Sequence, residues 1–413
     1  MPLSPPDVLV RPDVATRPSV AVPPGPAAAA IGLAALLGLA WGGPIVVRMI
    51  GDGDFPFHLE AARQFAATGA VTMPHFLLQV LLGAVLATGL FASPASAGVV
   101  FFCALYAGTA ALICWYVARG AGSTGGLAGS VVLTLAVLMS APILPREEPN
   151  LFLIGYFPAN AYHNPTMLLA KPLLVLSLLC AIAAVTRIGR PAAREILVLT
   201  TPVVLLGLAK PNYLGCLVPV LVARGSWATV LRRSVSWPRI IAVCAAAVAT
   251  LAASYLLYRS DEMGFQSGVI FAPLAVIRLY APADPLTIAR SLAASLAFPL
   301  AVTALWPRDA MGDVGMRIAW AGTLVGLFFS YFLAEGDGRL DHGNFLWTGQ
   351  MAVFVLFVAA AGFVRARLQF TSPSTIMFGR VLVVGVILLF HVESGLRHAA
   401  VKLDSSRWLA FWT

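Results

Sequence analysis

From Ile31 to Phe390 the chain is a succession of apolar runs, most of them ~15–24 residues long. Lipid offers no water to backbone N–H and C=O groups, so runs of this length must satisfy their own backbone as helices. A closed barrel would instead show short alternating segments. Hydrophobic residues make up 59% of the 413 residues and charged residues 11%, against roughly a quarter charged in a soluble domain. A disordered chain, a coiled coil and an ordinary cytosolic enzyme are excluded. The chain reads as an all-α, polytopic integral membrane protein.

Residues 1–26, rich in Pro and Ala and carrying Arg11 and Arg17, read as a disordered cytoplasmic tail. The run 27–50 is long for a signal-peptide core and has no convincing cleavage site, so it is taken as the first span. Further runs lie near 97–118, 124–144, 166–186, 194–209, 211–223, 239–258, 286–306, 315–333, 347–364 and 376–394. The net charge of +9 comes largely from arginines in short loops, at 119, 187–194, 224–239, 308 and 365–367. There they set topology and carry no indication of nucleic acid. Those loops are assigned to the cytoplasm. The outer loops 51–96, 145–165, 259–285 and 334–346 hold most of the acids and histidines, with 395–413 as an outer-face tail. The alternation holds only if residues 76–91 lie in the interface. The transmembrane domain, 27–394, then has about 11 spanning helices and an interfacial helix in its first outer loop. Runs 194–209 and 211–223 meet at Lys210-Pro211-Asn212 as a broken hairpin. All five cysteines lie in apolar runs without a CxxC, which favours plain packing roles.

The polar residues form four constellations on the outer side. The first is Gly51-Asp52-Gly53-Asp54-Phe55-Pro56-Phe57-His58-Leu59-Glu60, directly after the first span. Carboxylates fixed there suit general-base work on a hydroxyl or a divalent cation on a phosphate. Asp52 and Asp54 read equally well as helix caps in a solvated loop, and His75 reads as an ordinary interfacial histidine. The second constellation runs from Arg146-Glu147-Glu148 through Asn160, His163, Asn164 and Thr166 to Lys171, a buried lysine that could hold a phosphate or snorkel to the surface. The third is Lys210-Pro211-Asn212-Tyr213, an ionisable residue at a helix break. The fourth, Glu335 to Trp347, is glycine-rich. Its Asp341, His342 and Asn344 could bind a sugar or phosphate, with Trp347 stacking or anchoring. The tail cations Arg397, Lys402 and Arg407 are assigned to lipid headgroups. A cavity lined by these acids and lysines suits an anionic lipid-linked donor and a hydroxyl acceptor. The set requires no cofactor, and a divalent cation is compatible with it.

In architecture and in its first loop the chain resembles the GT-C glycosyltransferases, integral membrane enzymes that use polyprenyl-phosphate-linked sugars. The Asp54…His58 pattern, the amphipathic stretch from Glu60 to Ala70 and the proline-led Met73-Pro74-His75-Phe76-Leu77-Leu78 segment are similar. The resemblance implies Asp54 as catalytic base with His58 in support and Asp52 nearby. It implies Glu147, Glu148 and His163 as a second polar site, and Lys171, Lys210 or Arg339 on the lipid phosphate. The Asp-Gly-Asp of the first loop is short, and no sequon-recognition motif or large soluble C-terminal domain accompanies it. The expected activity is sugar transfer from a polyprenyl phosphate to a glycan or lipid acceptor, at the outer face of a bacterial inner membrane, with membrane lipids and no nucleic acid as partners. The rival readings are a polymerase or ligase acting on lipid-linked glycans, and a lipid-linked-sugar transporter or flippase.

Overall fold

The computed structural model describes residues 24–73, 75–119, 124–144, 155–160, 164–258, 268–280, 283–336, 340, 343–370 and 375–403. It is almost entirely helical. In chain order the helices are α1 (Pro24–Met49), α2 (Phe55–Thr68), α3 (Phe76–Ala87), α4 (Pro94–Val117), α5 (Thr124–Met139), α6 (Pro165–Thr186), α7 (Ala193–Ala209), α8 (Leu214–Val230), α9 (Trp237–Tyr258), α10 (Ala275–Tyr280), α11 (Pro285–Leu305), α12 (Pro307–Gly312), α13 (Val314–Phe332), α14 (Leu346–Phe370) and α15 (Thr375–Leu403). Among the described residues, nine helices are long and apolar enough to cross a membrane: α1, α4, α6, α8 with the turn before it, α9, α11, α13, α14 and α15. The two other expected spans are helical but shorter, α5 with 16 residues and α7 with 17. The break between α7 and α8 is present. Lys210 is extended, and Pro211–Tyr213 forms a single 3-10 turn before α8.

Helix α14 is the centre of the bundle, buried without interruption from Met351 to Ala361. Helix α6 is enclosed along its first turns, where Pro165 to Lys171 are all buried. Helices α1 and α4 approach so closely that a Cβ at Gly42 would run into the Tyr106 ring, the small-residue contact that lets helices pack where lipid supplies no hydrophobic drive. Helix α3 has 12 residues, covering about 18 Å at the α-helical rise, well short of the ~30 Å hydrocarbon core. It packs on amphipathic α2. There the fully buried Gln79 clamps the connecting loop: its side-chain oxygen accepts from Thr72 and Met73 N–H, and its amide donates to the Ala61 and Ala70 carbonyls.

Two features depart from the expected all-α layout. Strands β1 (Val269–Phe271) and β2 (Leu333–Glu335) pair antiparallel, Ile270 opposite Ala334, and join the loop regions near 259–285 and 334–346. Residues 140–144, expected as the end of a span, instead run as a buried extended strap after α5. Buried backbone outside a helix needs partners, and α15 supplies most of them. The Ala141 N–H donates to the His391 carbonyl at 3.0 Å, and the Ala141 carbonyl lies 2.6 Å from His391 Nδ1. Ser394 donates to the Pro142 carbonyl and Arg397 to the Leu144 carbonyl. Ile143 N–H reaches Ala294 in α11. Arg397, assigned from sequence to lipid headgroups, is therefore part of this clasp, and α15 continues helical to Leu403.

The clasp leaves no room at Gly395, where a Cβ would overlap the Met139 carbonyl oxygen. Gly395→Ala should cost about 1–3 kcal/mol, read as a lower melting temperature in detergent. Gly385→Ala on the same helix meets nothing within 4 Å and should leave the melting temperature unchanged or raised.

Candidate functional site

Helix α2 begins with Pro56 in its first turn, which fixes the start of the helix and makes Asp54 its N-cap residue. The Asp54 carboxylate nevertheless makes no capping bond to α2. Its Oδ2 instead accepts a 2.8 Å hydrogen bond from Asn164 Nδ2, 110 residues further along the chain. Asn164 does cap its own helix, α6. Its Oδ1 accepts from Met167 N–H at 3.1 Å and from the Thr166 hydroxyl at 2.6 Å. Thr166 in turn accepts from Lys210 Nζ at 3.3 Å. The buried Lys210 amine lies 4.7 Å from the Trp347 ring centroid, near the start of α14. Asn212 donates to the Asn344 carbonyl at 2.8 Å, and Asn344 Nδ2 donates to Glu335 at 2.8 Å. A continuous polar chain thus runs from Asp54 through Asn164, Thr166 and Lys210, with the Asn212–Asn344–Glu335 link beside it. It gathers the N-terminal ends of α2, α6, α8 and α14.

The electrostatics follow from this burial. Desolvation raises the Asp54 pKa above its ordinary value, partly offset by the Lys210 charge and the Asn164 hydrogen bond, which both favour the carboxylate. His58 is buried one turn into α2, and burial, followed by the Lys210 cation, lowers its pKa to about 4. His75 is depressed for the same reasons, with His58 adding to the effect. Both histidines are therefore neutral at neutral pH. His58 Nδ1 is buried with no hydrogen-bond partner among the described residues, and its contact with Asp54 is a backbone one, N–H to carbonyl at 3.3 Å.

Of the residues read from sequence, Asp54, His58, Asn164, Lys210 and Asn344 meet here. Asp52 does not: its carboxylate accepts from Gly53 N–H and lies 3.8 Å from Arg48. Lys171 is also elsewhere. Its amine donates to Asn160 at 2.8 Å, 5.9 Å from each of the Tyr106 and Phe354 ring centroids, while Asn160 donates to the Val137 carbonyl in α5 and the Ser140 carbonyl just past its end. That knot joins α5 to α6. Asn164 and Lys171 are seven positions apart, about two helical turns or ~10 Å along the axis, and the two side chains take different partners, Asp54 and Asn160. Glu147, Glu148, His163, Arg339, Asp341, His342 and Arg407 lie outside the described residues, and so does the side chain of Lys402. Among the described residues, no three His, Cys, Asp or Glu side chains gather as cation ligands. Sequence reasoning named Thr166 and Asn212 within their stretches but gave neither a role, although they carry the links, and it set aside His75. The only available signal was their adjacency to Asn164, Lys210 and the proline-led loop.

Asn164→Asp keeps a cap on α6 but sets a second carboxylate against Asp54. The variant should lose stability as pH rises and both acids ionise, by on the order of one pKa unit or ~1.4 kcal/mol. A melting series from pH 4 to pH 8 checks this; Asn164→Ala, which loses the bond to Asp54 but adds no second carboxylate, should decline less steeply. In the comparisons with known proteins, no family model matches the chain, and no curated protein matches its sequence significantly.

Proposed function

We propose that the chain is a membrane glycosyltransferase of the GT-C type, moving a sugar from a polyprenyl phosphate to the hydroxyl of a glycan or lipid acceptor. The observation that carries this reading is the Asp54 carboxylate, withheld from capping its own helix and held by Asn164 beside the buried Lys210. Asp54 Oδ1 accepts no hydrogen bond from the described residues, which leaves it for an acceptor hydroxyl. Lys210 and the converging helix N-termini form a positive environment for a phosphate.

In the reaction, the acceptor hydroxyl loses its proton to Asp54 as its oxygen bonds to the anomeric carbon. The bond from that carbon to the phosphate oxygen breaks, and the polyprenyl phosphate leaves with the electron pair. Lys210 and the helix ends stabilise the charge that grows on the leaving oxygen, a contribution that costs no reorganisation at the moment of reaction. Neutral His58 supplies a donor or acceptor at the mouth of α2 without adding charge.

The topology that goes with this reading places α2 and α3 in the outer interface and counts α5 and α7 among about 11 spans. Its support is that the ends of α1, α7 and α13 and the starts of α6, α8 and α14 meet at one end of the bundle. At the other end, Arg239 grips Glu195 with two hydrogen bonds of 3.0 and 2.9 Å. In this reading the arginine loops face the cytoplasm and the bundle sits in an inner membrane.

Asp54→Asn should lower sugar transfer by ~10²–10⁴-fold, the usual share of a general base, while leaving the melting temperature near that of the parent. Release of lipid phosphate from a panel of polyprenyl-phosphate sugars is the measurement, and undiminished release removes Asp54 as the base. Because the acid limb of activity follows ionisation of Asp54, it should lie above the ordinary carboxylate range. Asn164→Ala removes a bond that favours the charged form and should move that limb further up, as a pH–rate profile would show.

A further inference from the structure

Strand β1 breaks the usual pattern of a surface strand. Its residues Val269, Ile270 and Phe271 are all apolar and all exposed, at 65%, 44% and 68%, so both faces of the strand are bare. Alternation normally gives one covered and one wet face, and a bare apolar strand is an aggregation hazard in water. The strand is nonetheless firmly placed. It pairs with β2, and the pairing is extended by Gly336 N–H to the Gly268 carbonyl at one end and Ala272 N–H to the Phe332 carbonyl at the other. The bare surface is therefore a feature of the folded chain.

Phe271 continues a surface that already belongs to a membrane-crossing helix. Its ring stacks on Phe332 at 5.9 Å, and Phe332 stacks on Phe328 at 5.0 Å. Phe328 and Leu324 form the exposed apolar face of α13, one of the spanning candidates. The column Phe271–Phe332–Phe328 thus runs without a polar interruption from the ribbon onto the side of the bundle. Short helix α10, directly after β1, adds exposed Leu279 beside exposed Arg278.

We infer that the β1–β2 ribbon and α10 are seated in the bilayer, with Val269, Ile270 and Phe271 among the outer ends of the acyl chains and Arg278 at the level of the lipid phosphates. Depth follows from the backbone. The outer edge of a two-stranded ribbon has unpaired N–H and C=O groups, each costing several kcal/mol in hydrocarbon. That edge keeps the ribbon at the interface, where water and headgroups reach it, while aromatic and aliphatic side chains point inward. The partner is the lipid matrix itself. On the protein side, Glu335 at the end of β2 bonds Asn344, which bonds Asn212 next to Lys210, so the ribbon borders the polar site on its lipid-facing flank.

The test is photocrosslinking in nanodiscs of phosphatidylethanolamine and phosphatidylglycerol, with p-benzoylphenylalanine replacing Phe271 in the full chain. Mass spectrometry of the peptides reads the adducts. The same substitution at Leu324 reports the lipid-facing side of α13, and at the exposed, polar-facing Glu60 it reports a position outside the acyl region. Lipid adducts at position 271 comparable to those at 324, and severalfold above those at 60, are expected. Adducts at 324 with none at 271, or adducts at 271 to protein alone, would overturn the placement. Phe271→Tyr in place of the crosslinker should fold and melt like the parent, because at the outer ends of the acyl chains a hydroxyl can reach the headgroups. Neither result depends on sugar transfer, so the ribbon placement and the proposed activity stand or fall separately.

Discussion

An ammonium group cannot sit alone in the interior of a membrane-embedded bundle, and Lys210 sits there at a break between two helices. The surrounding arrangement answers that constraint. Proline at 211 forces the chain out of helix, the extended Lys210 turns its amine inward, and Thr166, the face of Trp347 and the nearby Asp54 charge share its compensation. Thr166 and Asn164 are themselves fixed by the first turn of α6. This buried cation therefore draws the beginnings of several helices to a common point. The long-range contacts of the site, Asp54 to Asn164 and Asn212 to Asn344, all lie around it.

The same economy governs the rest of the polar interior. Lys171, deeper in α6, is compensated by Asn160, and Asn160 spends its amide on the carbonyls that end α5. Gln79 does the equivalent work for the loop between α2 and α3. In each case a buried side chain with several hydrogen-bonding atoms replaces a turn of helix. An apolar residue there would leave several backbone groups unsatisfied.

The helical runs were legible in the sequence because hydrophobic length is a strong, local signal, and each expected run holds a helix, although the run 124–144 ends in the strap. The break at Lys210-Pro211 was legible for the same reason: proline and a charge interrupt an apolar run. Asp54, Asn164 and Lys210 stood out as polar residues in costly places, but the hydrogen bond between the first two spans 110 positions and leaves no local trace. The strap at 140–144 was hidden because apolar residues look alike whether helical or extended. What distinguishes the strap is the row His391, Ser394 and Arg397 on a helix some 250 residues away. The ribbon was missed because three exposed apolar residues in a polar loop fit no soluble pattern.

The strap also imposes an order of assembly. Among the described residues its carbonyls at Ala141, Pro142 and Leu144 find their donors on α15, which leaves the ribosome after every other described helix. Until that helix has entered the bilayer, the stretch after α5 must keep its hydrogen bonds with water or with the insertion machinery. The front half of the bundle is therefore closed by a helix made after all the other described ones, and its final shape is set after translation of α15, not as α5 emerges.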